Sequence, residues 1–169
     1  MTPAPRNGRA EEPLTAWLDE GELRAWRDLQ VMQNQLSAVL GRELVERSGL
    51  SYVDYLVLAA LTDRPDGRLR AFELGRELGW EKSRLSHHIS RMAERGLVEK
   101  QKCSADRRGA FVAVTQTGRR AIEAAAPGHV ASVRRRFIDR LSREQINALS
   151  EISGTVLAGL AEECATAED

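Results

Sequence analysis

The sequence predicts a mainly α-helical chain with one small β-hairpin, in which a helix–turn–helix and the hairpin are flanked by long helices. Three features carry that expectation. Apolar residues recur at steps of three and four over long stretches near both ends, the period of an amphipathic helix. Two short helical patterns in the middle are each stopped by a glycine, Gly79 and Gly96. Directly after the second, the period falls to two on either side of a polar loop, as a β-hairpin requires.

The elements follow in order. Residues 1–18 open with a Pro-, Gly-, Arg- and Glu-rich stretch and are expected to form a mobile tail. Asp19 and Glu22 have the spacing of a capping box. Behind it, Leu23, Trp26, Leu29, Met32, Leu36, Val39, Leu40 and Leu44 mark one face of a long helix that Gly49 ends. Ser51 and Asp54 repeat the capping pattern for a shorter helix whose inner face is Tyr55, Leu58, Ala59 and Leu61. Asp63-Arg64-Pro65-Asp66-Gly67 reads as a turn. Helices over 71–78 and 82–95 come next, joined by a three-residue turn. Strands over 97–102 and 111–115 flank the polar loop between them. Thr115 or Thr117 caps a further helix reaching Arg140, with a bend expected at Pro127-Gly128. Ser142 and Gln145 open a last helix with Ile146, Leu149, Ile152, Val156, Leu157 and Leu160 apolar.

With 169 residues and 42% hydrophobic content, the chain can bury a sizeable core. No window approaches ~18 uninterrupted apolar residues, which excludes a membrane-spanning helix. The N-terminus has no apolar signal-peptide region. Cys103 and Cys164 lie far apart with no zinc-ligand spacing, so no metal is expected, and reduced thiols and a cytoplasmic location are. Dinucleotide-binding, P-loop, nucleophile-elbow and His-Glu-x-x-His motifs are absent from the sequence, so neither catalysis nor a cofactor is expected.

Net charge is zero, yet its distribution is lopsided. Residues 80–120 hold ten Lys/Arg against four acids, a net +6, while 137–169 hold two against seven, a net −5. The central region is suited to a polyanion. On a helical wheel, Leu85, Ile89 and Met92 form the buried stripe of the 82–95 helix. Ser83, Arg84, His87, Ser90, Arg91 and Glu94 stand opposite, with His88 on the flank. That polar face suits base edges and phosphates; it is also what an ordinary solvated face looks like. Arg107 and Arg108 at the hairpin tip favour the first reading, because projecting guanidiniums suit a narrow minor groove. A solubilising charged loop is the other account of them. A major-groove helix with a minor-groove hairpin is a winged helix–turn–helix. The long outer helices exceed what the middle unit can cover, so a second copy of the chain is the expected partner.

The run Arg84-Leu85-Ser86-His87-His88-Ile89-Ser90-Arg91-Met92-Ala93-Glu94-Arg95-Gly96-Leu97-Val98-Glu99-Lys100, then Asp106-Arg107-Arg108-Gly109, then Val114-Thr115-Gln116-Thr117-Gly118-Arg119, resembles the MarR (multiple antibiotic resistance regulator) family over roughly residues 20–163. The resemblance implies a homodimeric DNA-binding transcription regulator, usually a repressor. It places residues 51–117 in the DNA-binding domain, 19–46 and 118–163 in the dimerisation region, and 164–169 in a tail. It puts Ser83, Arg84, Ser86, His87, His88 and Arg91 on the recognition helix and Arg107 and Arg108 on the wing. Asp106 resembles the carboxylate that holds a wing arginine in place. Lys82, Lys100 and Lys102 are expected to contact phosphates. The pair His87-His88 departs from the family pattern, which bears on sequence preference and brings in a pH-dependence of binding.

The resemblance also implies control by a small aromatic or phenolic effector lodged between the dimer helices and the DNA-binding lobe. Trp26, Tyr52 and Tyr55 are candidates to line that crevice; a plain core role is the alternative. Two other readings stay open: a redox sensor working through Cys103, whose thiol lies beside Lys102, and a winged-helix protein-interaction adaptor.

Overall fold

A computed structural model describes residues 17–102 and 110–166. The elements are α1 (Glu20–Ser48), α2 (Tyr52–Thr62), β1 (Arg68–Arg70), α3 (Ala71–Leu78), α4 (Lys82–Glu94), β2 (Val98–Lys102), β3 (Ala110–Val114), α5 (Gln116–Arg136) and α6 (Arg143–Thr166). Compactness divides the chain into two units, 1–35 and 36–169.

In the first unit the capping box forms as the spacing predicts. The Glu22 N–H donates to Asp19 Oδ1 at 2.9 Å and the Asp19 N–H to Glu22 Oε2 at 2.8 Å. Trp26, Leu29, Val31 and Met32 of α1 remain solvent-exposed.

The second unit holds the core. Leu44, Leu50, Val57, Leu58, Leu61, Leu74, Leu85, Ile89, Met92, Leu97, Val98, Val112 and Ile122 form one buried cluster. The Ser51–Asp54 box starts α2. Gly79 ends α3 and Gly96 follows α4, at φ of 64° and 69°, a region that side chains with a Cβ avoid. The Gln145 N–H donates to Ser142 Oγ at 3.2 Å, while Gln145 Oε1 accepts from the Ser142 N–H at 2.9 Å.

Three features correct the sequence reading. The hairpin is part of a three-stranded antiparallel sheet in the order β1-β3-β2. β1 pairs Leu69 with Val112, and β2 pairs Lys100 with the same residue. Arg-Leu-Arg shows too little alternation to read as a strand; only the pairing of buried Leu69 defines it. α5 continues through Pro127 and ends at Arg136, after which Ile138–Arg140 form a 3₁₀ turn. Of the two candidate caps, Thr115 is the one used: its Oγ1 accepts the Gly118 N–H at 3.0 Å. α6 runs three residues past 163, into the segment expected to be a tail.

Candidate nucleic-acid interface

The helix pair α3–α4 is held by a tight turn. The Trp80 N–H donates to the Gly75 carbonyl at 2.8 Å, and the left-handed Gly79 lets the chain reverse. α4 then buries Leu85, Ile89 and Met92, the i, i+4, i+7 stripe read from the sequence. This seats its opposite side outward: Lys82, Ser83, Arg84, Ser86, His87 and Arg91 are all exposed. Arg84 lies over the Trp80 ring at 4.7 Å, a cation–π contact that restricts the guanidinium without covering it. From β2, Lys100 Nζ donates to Ser90 Oγ at 2.8 Å, and Ser90 Oγ donates to the Ser86 carbonyl at 2.9 Å. The sheet thus sets its lysine beside the helix. Lys102 ends β2. Arg107, Arg108, Asp106 and Cys103 lie outside the described residues.

His88 departs from the solvent-facing flank expected of it. Its side chain is 11% exposed, and Nε2 lies 3.0 Å from Asp54 Oδ1, a charge-contact distance without the alignment of a hydrogen bond. Nδ1 lies 3.1 Å from Arg91 Nη2, and Trp80 meets the ring edge-on at 5.5 Å. A carboxylate partner was not legible beside these histidines, because Asp54 comes from α2 rather than from the same helix.

Asp54 is 3% exposed and serves three neighbours. Its Oδ2 accepts from the Ser51 N–H at 3.0 Å and from Arg95 Nη1 at 2.7 Å. Arg95 also donates to the Gly49 carbonyl at 3.1 Å. Burial pushes the Asp54 carboxyl upward, but the Arg95 guanidinium and the Ser51 donors outweigh it and hold it below its ordinary value. For His88, burial lowers the pKa, Asp54 pulls it back up and Arg91 opposes that, leaving it below the ordinary 6.5. The face therefore carries fixed cations over one buried anion.

The candidate effector residues fall in different settings. Trp26 is 54% exposed on the first part of α1. Tyr52 and Tyr55 pack against the core and meet the His129 ring at 6.1 and 4.3 Å. His129, which sequence reading passed over, has a buried Nδ1 without a hydrogen-bond partner, and burial lowers its pKa. It lines a cavity of about 170 Å³ with Leu40, Glu43, Leu44, Arg47 and Ser132. Nothing in its local sequence marks it, since it lies mid-helix and its ring partners are more than seventy residues away.

Among known proteins, a MarR family model matches residues 48–109, the stretch that holds α2, the α3–α4 pair and β2. Transcriptional regulator HosA of Escherichia coli O127:H6 is 32% identical over 123 residues, spanning 72% of this chain and 86% of HosA. AbsC, a MarR family transcriptional regulator from Streptomyces coelicolor, superposes with a TM-score of 0.81 at 36% identity, covering 88% of this chain and 99% of AbsC. Sco3205, a MarR family transcriptional regulator from the same organism, was solved in complex with DNA. It matches with a TM-score of 0.81 at 37% identity over 85% of this chain and 94% of its own.

Proposed function

The chain belongs to the MarR family of DNA-binding transcription regulators, and on that premise we propose that it acts as a homodimeric repressor of a pseudo-palindromic operator, released by a small aromatic effector. The observation that carries this reading is the α4 surface. One side is locked into the core by Leu85, Ile89 and Met92, while Lys82, Ser83, Arg84, Ser86, His87 and Arg91 stand exposed on the other. A rigidly seated helix with short polar groups and guanidiniums outward has the chemistry of base-edge readout, Arg to guanine above all. Sco3205, solved with DNA, supports the same partner.

Pairing of two copies is supported by α6. Ile152, Val156, Leu157 and Leu160 are each more than half exposed, Leu157 at 64%, and such an apolar stripe in water calls for a partner. A two-fold dimer would set its two recognition helices one DNA turn, ~34 Å, apart. The effector part rests on the His129 cavity, which none of the sequence candidates Trp26, Tyr52 and Tyr55 lines, although Tyr52 and Tyr55 meet the His129 ring. At about 170 Å³ the cavity is smaller than the ~300–1,000 Å³ of ordinary ligand sites, so it suits a single small ring.

A salt-titrated shift assay on genomic fragments, including the chain's own upstream region, tests the DNA reading. Selective retention of some fragments, with log Kd varying linearly with log salt, is the expected result. Equal retention of all fragments at physiological salt defeats sequence-specific readout, and retention of none favours the adaptor alternative. A reporter driven from a retained fragment separates repression from activation.

A further inference from the structure

Resting on the DNA-binding reading above, we propose that His88 is a positioning residue: its neutral ring docks the Arg91 guanidinium beside the buried Asp54–Arg95 pair, and protonation of that ring frees Arg91 and lowers discrimination between DNA sequences.

Donor and acceptor inventory fixes the tautomer of the His88 ring. A guanidinium can only donate, so at 3.1 Å from Arg91 Nη2 the His88 Nδ1 must be the acceptor. The ring proton therefore sits on Nε2, the atom 3.0 Å from Asp54 Oδ1. Both nitrogens are thus assigned by their neighbours. Asp54 is itself immobile, bound by Ser51 and Arg95. Trp80 closes the ring's third side, and Arg84 lies over Trp80. Two groups of the exposed α4 face, Arg84 and Arg91, hence lean on one Trp80–His88 unit.

The charged groups facing His88 are Asp54 from α2 and Arg84, Arg91 and Arg95 from α4 and its cap. The remaining wall includes the uncharged Val45, Gly49 and Val53. This hollow, about 470 Å³, is open to solvent, so protons reach the ring. Protonation turns Nδ1 into a donor facing a donor and adds a positive charge against Arg91, so Arg91 must leave. A docked arginine has already lost its rotamer freedom and presents one orientation to a base edge. A freed one still attracts phosphate as a charge, which keeps sequence-independent binding. Burial sets the His88 pKa below 6.5, so the ring is neutral at pH 8 and charges on acidification.

The test uses the full-length protein and two duplexes: one selected from a random pool at pH 8, and the same duplex with its sequence shuffled. Fluorescence anisotropy at constant ionic strength gives the ratio of the two Kd values from pH 8 to 5.5. For the parent protein the ratio should fall about three- to tenfold, the worth of one net hydrogen bond, while the shuffled duplex binds as well or better. His88→Gln retains a donor and an acceptor without titrating, so its ratio should stay level. Independently of DNA, nitrogen NMR of the His88 ring should find the proton on Nε2 at pH 8, and Arg91→Ala should raise the pH at which the ring titrates. If the pool enriches no duplex, the DNA reading falls and this inference with it. If a duplex is enriched but parent and His88→Gln decline in parallel, or the ring proton sits on Nδ1, this inference alone is overturned.

Discussion

Replacing Gly118 with alanine should destabilise the protein, even though it removes a glycine from a helix. Gly118 is the third residue of α5, with its N–H capped by Thr115 Oγ1. Helix propensity alone favours alanine there by up to ~1 kcal/mol. Packing opposes it. A Cβ at this position would lie 2.0 Å from the Leu97 carbonyl oxygen and 3.1 Å from Leu58 Cδ2. A carbon–oxygen contact needs ~3.3 Å, so the helix or the Leu97 bend before β2 must retreat by about 1.3 Å. That same carbonyl accepts from the Thr115 N–H at 3.2 Å and from Thr115 Oγ1 at 3.1 Å, so retreat opens the joint between sheet and helix. Overpacking of this kind costs ~1–3 kcal/mol and the disturbed cap ~1 more, so after propensity is subtracted the clash costs about 1–3 kcal/mol. For a chain of this length that lowers Tm by ~2–12 °C. Circular dichroism melts at matched protein concentration measure it, with Gly41→Ala as the control. There the new Cβ meets Tyr52 Cβ at an ordinary 3.5 Å, and Tm should hold or rise. A Gly118→Ala protein melting at or above the parent temperature would refute the steric argument.

Glu43 accepts hydrogen bonds from Ser132 and Arg136 and pairs with Arg135, which together hold its carboxyl down to about 2. Because the folded pKa lies below the unfolded one, its stabilisation is complete above ~4.5 and is lost as pH falls toward 2. Denaturant midpoints between pH 5 and 2.5 should therefore fall less for Glu43→Gln than for the parent; equal slopes would contradict the assignment. Arg84→Ala should cost ~1–3 kcal/mol on a selected duplex and relax preference at particular base pairs. Lys82→Ala should instead weaken all duplexes alike and reduce the log–log salt slope by ~0.9. Val156→Glu combined with Leu160→Glu should leave an 18.8 kDa particle in sedimentation where the parent gives twice that mass; an unchanged particle would exclude α6 from the interface.

The burial pattern of α4 was legible one residue at a time. The stripe Leu85, Ile89, Met92 needs only the helical period, and once it is buried the exposure of Arg84, His87 and Arg91 follows from geometry. The capping boxes at Asp19, Ser51 and Ser142 are equally local, with partners three residues apart. Asp54 shows the limit. Its spacing to Ser51 announces a cap, whereas its bond to Arg95 crosses 41 positions and leaves no periodic trace.

From local rules alone came the order of helices, their caps and stops, the change of period at the hairpin and the polar side of α4, because each depends on neighbours within about four positions. Tertiary packing decided the rest. β1 is a strand because Leu69 lies opposite Val112. His88 faces inward because α2 brings a buried carboxylate to it. Gly118 must be glycine because the Leu97 carbonyl occupies the place of its Cβ. Each of these is a contact between segments distant along the chain, and such contacts come into being only when the core closes.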